Sequence, residues 1–175
     1  MNYAEIKTFD VANGPGIRVS LFVSGCNHRC PGCFNKQAWD FNFGQPFTQE
    51  TIDYIIDTLS FGAYQGVTFL GGEPMEPVNQ KGLLPLARKI KETYPEKDIW
   101  CFTGYDFEKD IIGHMYNECP ETKELLSYID VLVDGPFIEA QKNLNLVFRG
   151  SENQRLIRIP ETLKTGNIVL WEKEM

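Results

Sequence analysis

Ile17-Arg18-Val19-Ser20-Leu21-Phe22-Val23-Ser24-Gly25-Cys26-Asn27-His28-Arg29-Cys30-Pro31-Gly32-Cys33 runs a strand-like segment straight into a cysteine-rich loop. Its first seven residues alternate and are rich in β-branched and aromatic side chains, which predicts a strand over Ile17–Val23. Asn13-Gly14-Pro15-Gly16 before it is turn-forming. The loop therefore opens at the carboxyl end of the strand. Three of the five cysteines fall between Cys26 and Cys33, so their sulfurs can converge on one metal centre. Thiolates are soft ligands suited to zinc, copper(I) or iron–sulfur clusters. A structural zinc site is closed by four protein ligands, whereas a cluster held by three cysteines leaves one iron open to another molecule.

Other readings of the loop stay open at this level. His28 could complete a Cys3His zinc site, although it stands two residues from both Cys26 and Cys30, a tight spacing for joint tetrahedral ligation. A disulfide is disfavoured by the odd cysteine count and by the absence of a secretory segment. Cys101, in the apolar run Ile99-Trp100-Cys101-Phe102, and Cys119, before Pro120 at an expected helix end, read as structural.

Working outward, Thr48 reads as the N-cap of a helix carrying Ile52, Ile55, Ile56 and Leu59 on one face. Gly66-Val67-Thr68-Phe69-Leu70 reads as a second strand, ending in Gly71-Gly72-Glu73-Pro74. Leu83, Leu84, Leu86, Ala87, Ile90 and Tyr94 predict a helix, with Pro85 in its first turn and Pro95 beyond its end. A third strand over Asp98–Phe102 leads into Thr103-Gly104-Tyr105. A helix from Asp106 or Phe107 to about Met115, with His114 on its surface, and a shorter one near Glu121–Ser127 follow. Ile129–Val133 is a fourth strand, closed by Asp134-Gly135-Pro136-Phe137. Strands alternating with helices pair in parallel, and such sheets carry their sites at the carboxyl ends of the strands. The expected fold is α/β, an incomplete TIM-like (β/α) barrel or an open sheet with mostly parallel strands, since a full eight-stranded barrel takes about 250 residues. Arg155–Ile159 and Asn167–Trp171 are expected as final strands at an antiparallel edge.

The 175 residues suit one domain spanning 1–175, with 42% hydrophobic content sufficient for a sizeable core. A formal net charge of -7 argues against a broad nucleic-acid footprint. No signal-like start and no run long enough to span a membrane are visible, so a cytoplasmic protein is expected, with neither nucleic-acid nor membrane partners.

Cys26-x3-Cys30-x2-Cys33, followed after the next strand by Gly71-Gly72-Glu73-Pro74, resembles the radical S-adenosylmethionine enzymes. That resemblance implies that Cys26, Cys30 and Cys33 hold a 4Fe-4S cluster whose open iron takes the amino and carboxylate groups of S-adenosylmethionine. It implies that Gly71, Gly72, Glu73 and Pro74 help to bind the methionine amino group. Many members carry an aromatic residue before the third cysteine, near the adenine; here that residue is Gly32, so Phe34 or backbone groups serve instead, and Asn27, Gly32 and Phe34 join the expected cofactor contacts.

Gly14-Pro15-Gly16-Ile17-Arg18, Cys33-Phe34-Asn35 and Trp39-Asp40 narrow the resemblance to the glycyl-radical-enzyme activases. The resemblance then implies a protein substrate that presents a glycine. The short chain and the tail Phe148-Arg149-Gly150-Ser151-Glu152-Asn153-Gln154-Arg155 match it to the large subunit of an anaerobic ribonucleoside-triphosphate reductase. An external one-electron donor such as a flavodoxin is implied as well. Asp134, at a strand end, is expected either to touch the cofactor or the incoming glycine loop, or to be an ordinary turn former. Arg149, Ser151 and Arg155 are expected to dock the partner or bind a carboxylate, and Arg18 to form a buried ion pair with Glu73 or Asp134. The rivals are an activase of the pyruvate formate-lyase type, a radical enzyme acting on a small molecule, a zinc-stabilised interaction module, which would be colourless, and an electron-transfer iron–sulfur protein; the last wants four cysteine ligands and has no use for Gly71 to Pro74.

Overall fold

In a computed structural model, which describes residues 1–33 and 35–173, strand β1 (Asn2–Asp10) pairs antiparallel with β2 (Ile17–Val23). A two-residue strand, β3 (Gln45–Pro46), adds to the outer edge of β1. Helix α1 (Gln49–Thr58) follows, its start fixed by a reciprocal capping box between Thr48 and Thr51. Then come β4 (Tyr64–Gly71), α2 (Pro77–Thr93) and β5 (Asp98–Phe102). A π-wound helix (Phe107–Met115), a single turn α3 (Tyr116–Glu118) and α4 (Thr122–Tyr128) lead to β6 (Val131–Asp134), and β7 (Arg155–Arg158) runs into α5 (Ile159–Thr165).

The sheet order is β3-β1-β2-β4-β5-β6-β7. The four strands expected from the sequence form its parallel centre, β2-β4-β5-β6. The barrel expectation reduces to an open mixed sheet: β3 and β7 lie at opposite edges, and antiparallel partners, β1 on one side and β7 on the other, flank the parallel strands. Three further details differ. β1 escapes the sequence reading because its inward residues are only half-buried and alternate with charges at Glu5 and Lys7. Helix α2 begins at Pro77, so Pro85 lies inside it and not in its first turn. Asn167–Trp171 forms only an isolated bridge, Leu170 to Ile157, and no strand.

Alternation along the central strands divides the molecule. Val19, Leu21 and Val23, Val67 and Phe69, Ile99 and Cys101, and Leu132 face the helices and pack with Ile55, Leu83, Ile90 and Leu125 in the main core. Their neighbours face the other way, outside the main core. There Trp100, Val131, Val133 and Leu156 form a smaller cluster under Phe102, Phe148 and Trp171. Trp100, Phe148 and Trp171 meet edge-on or tilted, with ring centroids 5.0 to 5.8 Å apart. The tail after β6 thus closes the face that a longer barrel would close with strands. No helix among the described residues is long and apolar enough to cross a membrane.

Candidate functional site

On this second face, toward the carboxyl ends of the strands, Phe22, Leu70 and Phe102 sit on adjacent strands in register and floor a cleft of about 410 Å3. Its volume falls in the usual range of small-molecule sites, about 300–1,000 Å3. Cys26, Cys30 and Cys33 line it together with Gly71, Gly72 and Glu73, and so do Leu146, Phe148 and Arg149 from the chain after β6. A larger hollow, about 660 Å3, lies at the other end of the same face and is bordered by Asp98, Arg158 and Trp171; it contains no cysteine.

The cysteine loop leaves β2 as the sheet's hydrogen bonding ends. Gly25 N–H donates to Ala38 O at 2.7 Å and Cys26 N–H to Trp39 O at 3.3 Å, so the short helix Lys36–Trp39 backs the loop. The next loop is laced to it: Gly72 N–H donates to Val23 O at 2.8 Å and Glu73 N–H to Gly25 O at 2.7 Å. Both glycines answer to this close packing. Gly71 has φ +111°, and a Cβ on it would meet Val23 N at 2.7 Å; one on Gly72 would meet Gly25 O at 2.6 Å.

Cys26 is buried while Cys30 and Cys33 are half-buried, and burial pushes the Cys26 thiol up to about 11. A metal centre would have to displace that proton to ligate the sulfur. Around one zinc ion, four ligands at 2.3 Å place sulfurs ~3.8 Å apart. The three cysteine sulfurs and His28 do not draw within 4.8 Å of one another; among the described residues only Asp106, Glu108 and Asp134 form such a group. The carboxylate group is filled by Arg155, whose Nη2 donates at 2.6 Å to both Glu108 and Asp134.

Glu73 is the junction of the site. It is 1% exposed and accepts four hydrogen bonds. Oε1 receives Gly104 N–H at 2.6 Å and His28 Nε2 at 2.7 Å, and Oε2 receives Met75 N–H and the Thr103 hydroxyl, each at 2.8 Å. Burial alone would push the His28 pKa down, but the hydrogen bond and charge of Glu73, helped by Glu76 and Asp110, leave it raised. Beside this, Glu76 accepts from the Tyr105 hydroxyl at 2.8 Å and from Asn27 Nδ2 at 3.3 Å. Asn79, in the first turns of α2, donates to Ser24 O at 3.0 Å and Glu73 O at 2.9 Å. Glu76, Asn79 and Tyr105 were missed as site residues in the sequence. Their one signal is position, since they follow directly on the strand-end loops.

The remaining expected residues divide. Pro74 is buried in the Glu73 turn, and Asn27 and Gly32 are exposed outside the cleft lining. Phe34 lies outside the described residues. Arg18 is corrected: it sits near the amino end of β2, away from the cysteines, and pairs with Asp98 at 2.5 Å and not with Glu73 or Asp134, which are at the other strand ends. Asp134 is buried and accepts from Arg155 through both oxygens and from the Phe107 N–H that opens the π-wound helix. Ser151 is fully buried and donates to Asn153 Oδ1 at 2.6 Å. Arg149 lines the cleft while one guanidinium nitrogen holds the Glu152 and Gln154 carbonyls. Cys101 is buried in β5, and Cys119 borders a separate surface hollow and donates to Gln80 Oε1 at 3.6 Å; neither lines the cleft.

Residues 12–157 match a family model described as a 4Fe-4S single cluster domain. Among relatives, the anaerobic ribonucleoside-triphosphate reductase-activating protein of Escherichia coli (strain K12) is 42% identical over 156 residues, 88% of this chain and 96% of that relative. The protein of the same name from Enterobacteria phage T4 is 44% identical over 158 residues, 89% of this chain and 93% of its own. That from Vibrio cholerae serotype O1 is 43% identical over 161 residues, 90% and 98%.

Proposed function

Because this chain belongs to the family of anaerobic ribonucleoside-triphosphate reductase-activating proteins, we propose that it activates such a reductase by generating a glycyl radical on its large subunit. The observation that carries this reading is the meeting of Cys26, Cys30 and Cys33 with Gly71, Gly72 and Glu73 in one cleft.

Cys26, Cys30 and Cys33, which line one cleft, would hold the 4Fe-4S cluster. Held there with S-adenosylmethionine, the cluster supplies one electron for cleavage of the sulfonium to methionine and a 5′-deoxyadenosyl radical, which takes a hydrogen atom from the glycine. The protein's own part is placement. Gly71 and Gly72 bring backbone to the cleft lining, where they would help to hold the methionine end of S-adenosylmethionine. Phe22, Leu70 and Phe102 offer an apolar floor that excludes water and competing hydrogen donors. Leu146, Phe148 and Arg149 form the side past which a glycine-bearing segment enters.

With Cys101 and Cys119 outside the cleft, this site has no second cysteine set for another cluster, which supports an external one-electron donor of the flavodoxin type. The lack of a membrane-spanning helix among the described residues is compatible with a cytoplasmic setting.

The test is electron paramagnetic resonance on the anaerobically reconstituted, reduced protein, first alone, then with S-adenosylmethionine, then with the reductase. A cluster signal altered by S-adenosylmethionine and followed by a glycyl radical on the reductase is the expected result. A colourless protein with stoichiometric zinc would overturn the reading.

A further inference from the structure

The two walls that would meet S-adenosylmethionine come from different loops, one after β2 and one after β4. Among the described residues, backbone hydrogen bonds join only their roots, at Val23 with Gly72 and at Gly25 with Glu73. Beyond Gly25 the cysteine loop leaves the ladder. From there its ties to the second loop are side chains, chiefly His28 to Glu73 at 2.7 Å and the longer Asn27 to Glu76 at 3.3 Å.

His28 stands between Cys26 and Cys30, so the position of its ring governs the direction of the segment that carries both sulfurs. That ring is held on three sides. Glu73 takes Nε2, the Tyr105 ring lies 4.3 Å away at 66°, and Gly104 is so near that a Cβ there would come within 2.7 Å of Cδ2. A carboxylate can only accept, so Nε2 carries its hydrogen and is unavailable to a metal. Glu73 has its other three acceptor sites filled by Met75, Thr103 and Gly104, which keep it still when the cysteine loop is pulled.

We propose that His28 is a positioning residue for S-adenosylmethionine, acting through Glu73 to hold the Cys26–Cys33 loop against the Gly71–Pro74 loop. This rests on the function proposed above and adds that the set of the two loops, not the three sulfurs alone, determines how well S-adenosylmethionine is bound. Neither His28 nor the Glu73 carboxylate need touch the reacting atoms.

The experiment compares wild type, His28→Ala, His28→Gln and Cys119→Ala, each reconstituted anaerobically with iron and sulfide. Iron content, the signal of the reduced cluster and its titration with S-adenosylmethionine are measured. His28→Ala keeps its iron and reduced signal but binds S-adenosylmethionine about tenfold or more weakly, the scale of one lost hydrogen bond to a charged group. His28→Gln, whose amide N–H can still reach Glu73, recovers most of that affinity. An affinity for His28→Ala within about twofold of wild type would overturn the proposal, being less than one such bond. Loss of iron from both His28 variants but not from Cys119→Ala would also overturn it, by making His28 a ligand. A wild-type cluster indifferent to S-adenosylmethionine would instead sink the proposed function, a failure seen before any variant is compared.

Discussion

Arg18 on β2 reaches past β4 to Asp98 on β5, Nη2 to Oδ1 at 2.5 Å, with the arginine side chain wholly buried. The same guanidinium donates to Thr68 Oγ1, Val67 O and Pro15 O, so one side chain ties three parallel strands and the turn before β2. Removing its counter-charge leaves a buried cation without its anion. Asp98→Ala is expected to destabilise the fold by about 3 kcal/mol, at the low end for a broken buried pair because Asp98 is partly exposed. Urea denaturation of the two proteins measures it.

Gly71→Ala should be nearly as damaging for a different reason. The residue must adopt φ +111°, and its methyl would press on the backbone of β2 at Val23. Such strain costs on the order of 1–3 kcal/mol. The expected outcome is a lowered thermal midpoint together with poor cluster incorporation, read by melting and by iron analysis; a wild-type midpoint would contradict the packing described.

Substitution of Cys26, Cys30 or Cys33 by alanine should each abolish the brown cluster and S-adenosylmethionine cleavage, whereas Cys119→Ala should retain both. Iron and sulfide analysis with assay of methionine release distinguishes them. Retained cleavage in any of the first three would contradict the ligand set.

Asp10 links acid stability to the turn before β2. Burial would raise its pKa, but hydrogen bonds from Ser20, Asn13 and the Ala12 N–H, with the charge of Lys7, leave it lowered from 3.8. A carboxyl depressed in the fold contributes stability that is complete above its unfolded value and is lost as the pH falls through its folded value. The stability gap between wild type and Asp10→Asn should therefore be largest at neutral pH and shrink below about pH 4. A gap that grows on acidification would contradict this sign.

The parallel centre was legible because each of its strands is apolar on the helix-facing side and ends at a loop of unusual composition. The β1 flank was not. β1 alternates charged residues with half-buried ones and takes its place from pairing with β2, which the sequence does not display. The antiparallel edge at β7 was legible from the short chain and the final strand-like run, whereas the reversed direction of β1 at the other flank was not. In the site, cysteine spacing and the double glycine singled out the two loops that meet in the cleft. The junction at Glu73 was invisible, because His28, Thr103 and Gly104 reach it only after three strand ends are brought side by side. Arg18 misled because a buried arginine advertises its need for an anion without saying at which end of the sheet that anion waits.

Phe148 takes a left-handed backbone conformation, φ 57°, and from there lays its ring against both Trp100 and Trp171 while bordering the cleft. The two sides of the cleft consequently have separate origins, one in strand ends locked by the Glu73 junction, the other in a stretch of chain added after β6. Substitutions after β6 can therefore reshape one part of the cleft lining while the hydrogen bonds of the Glu73 junction stay as they are.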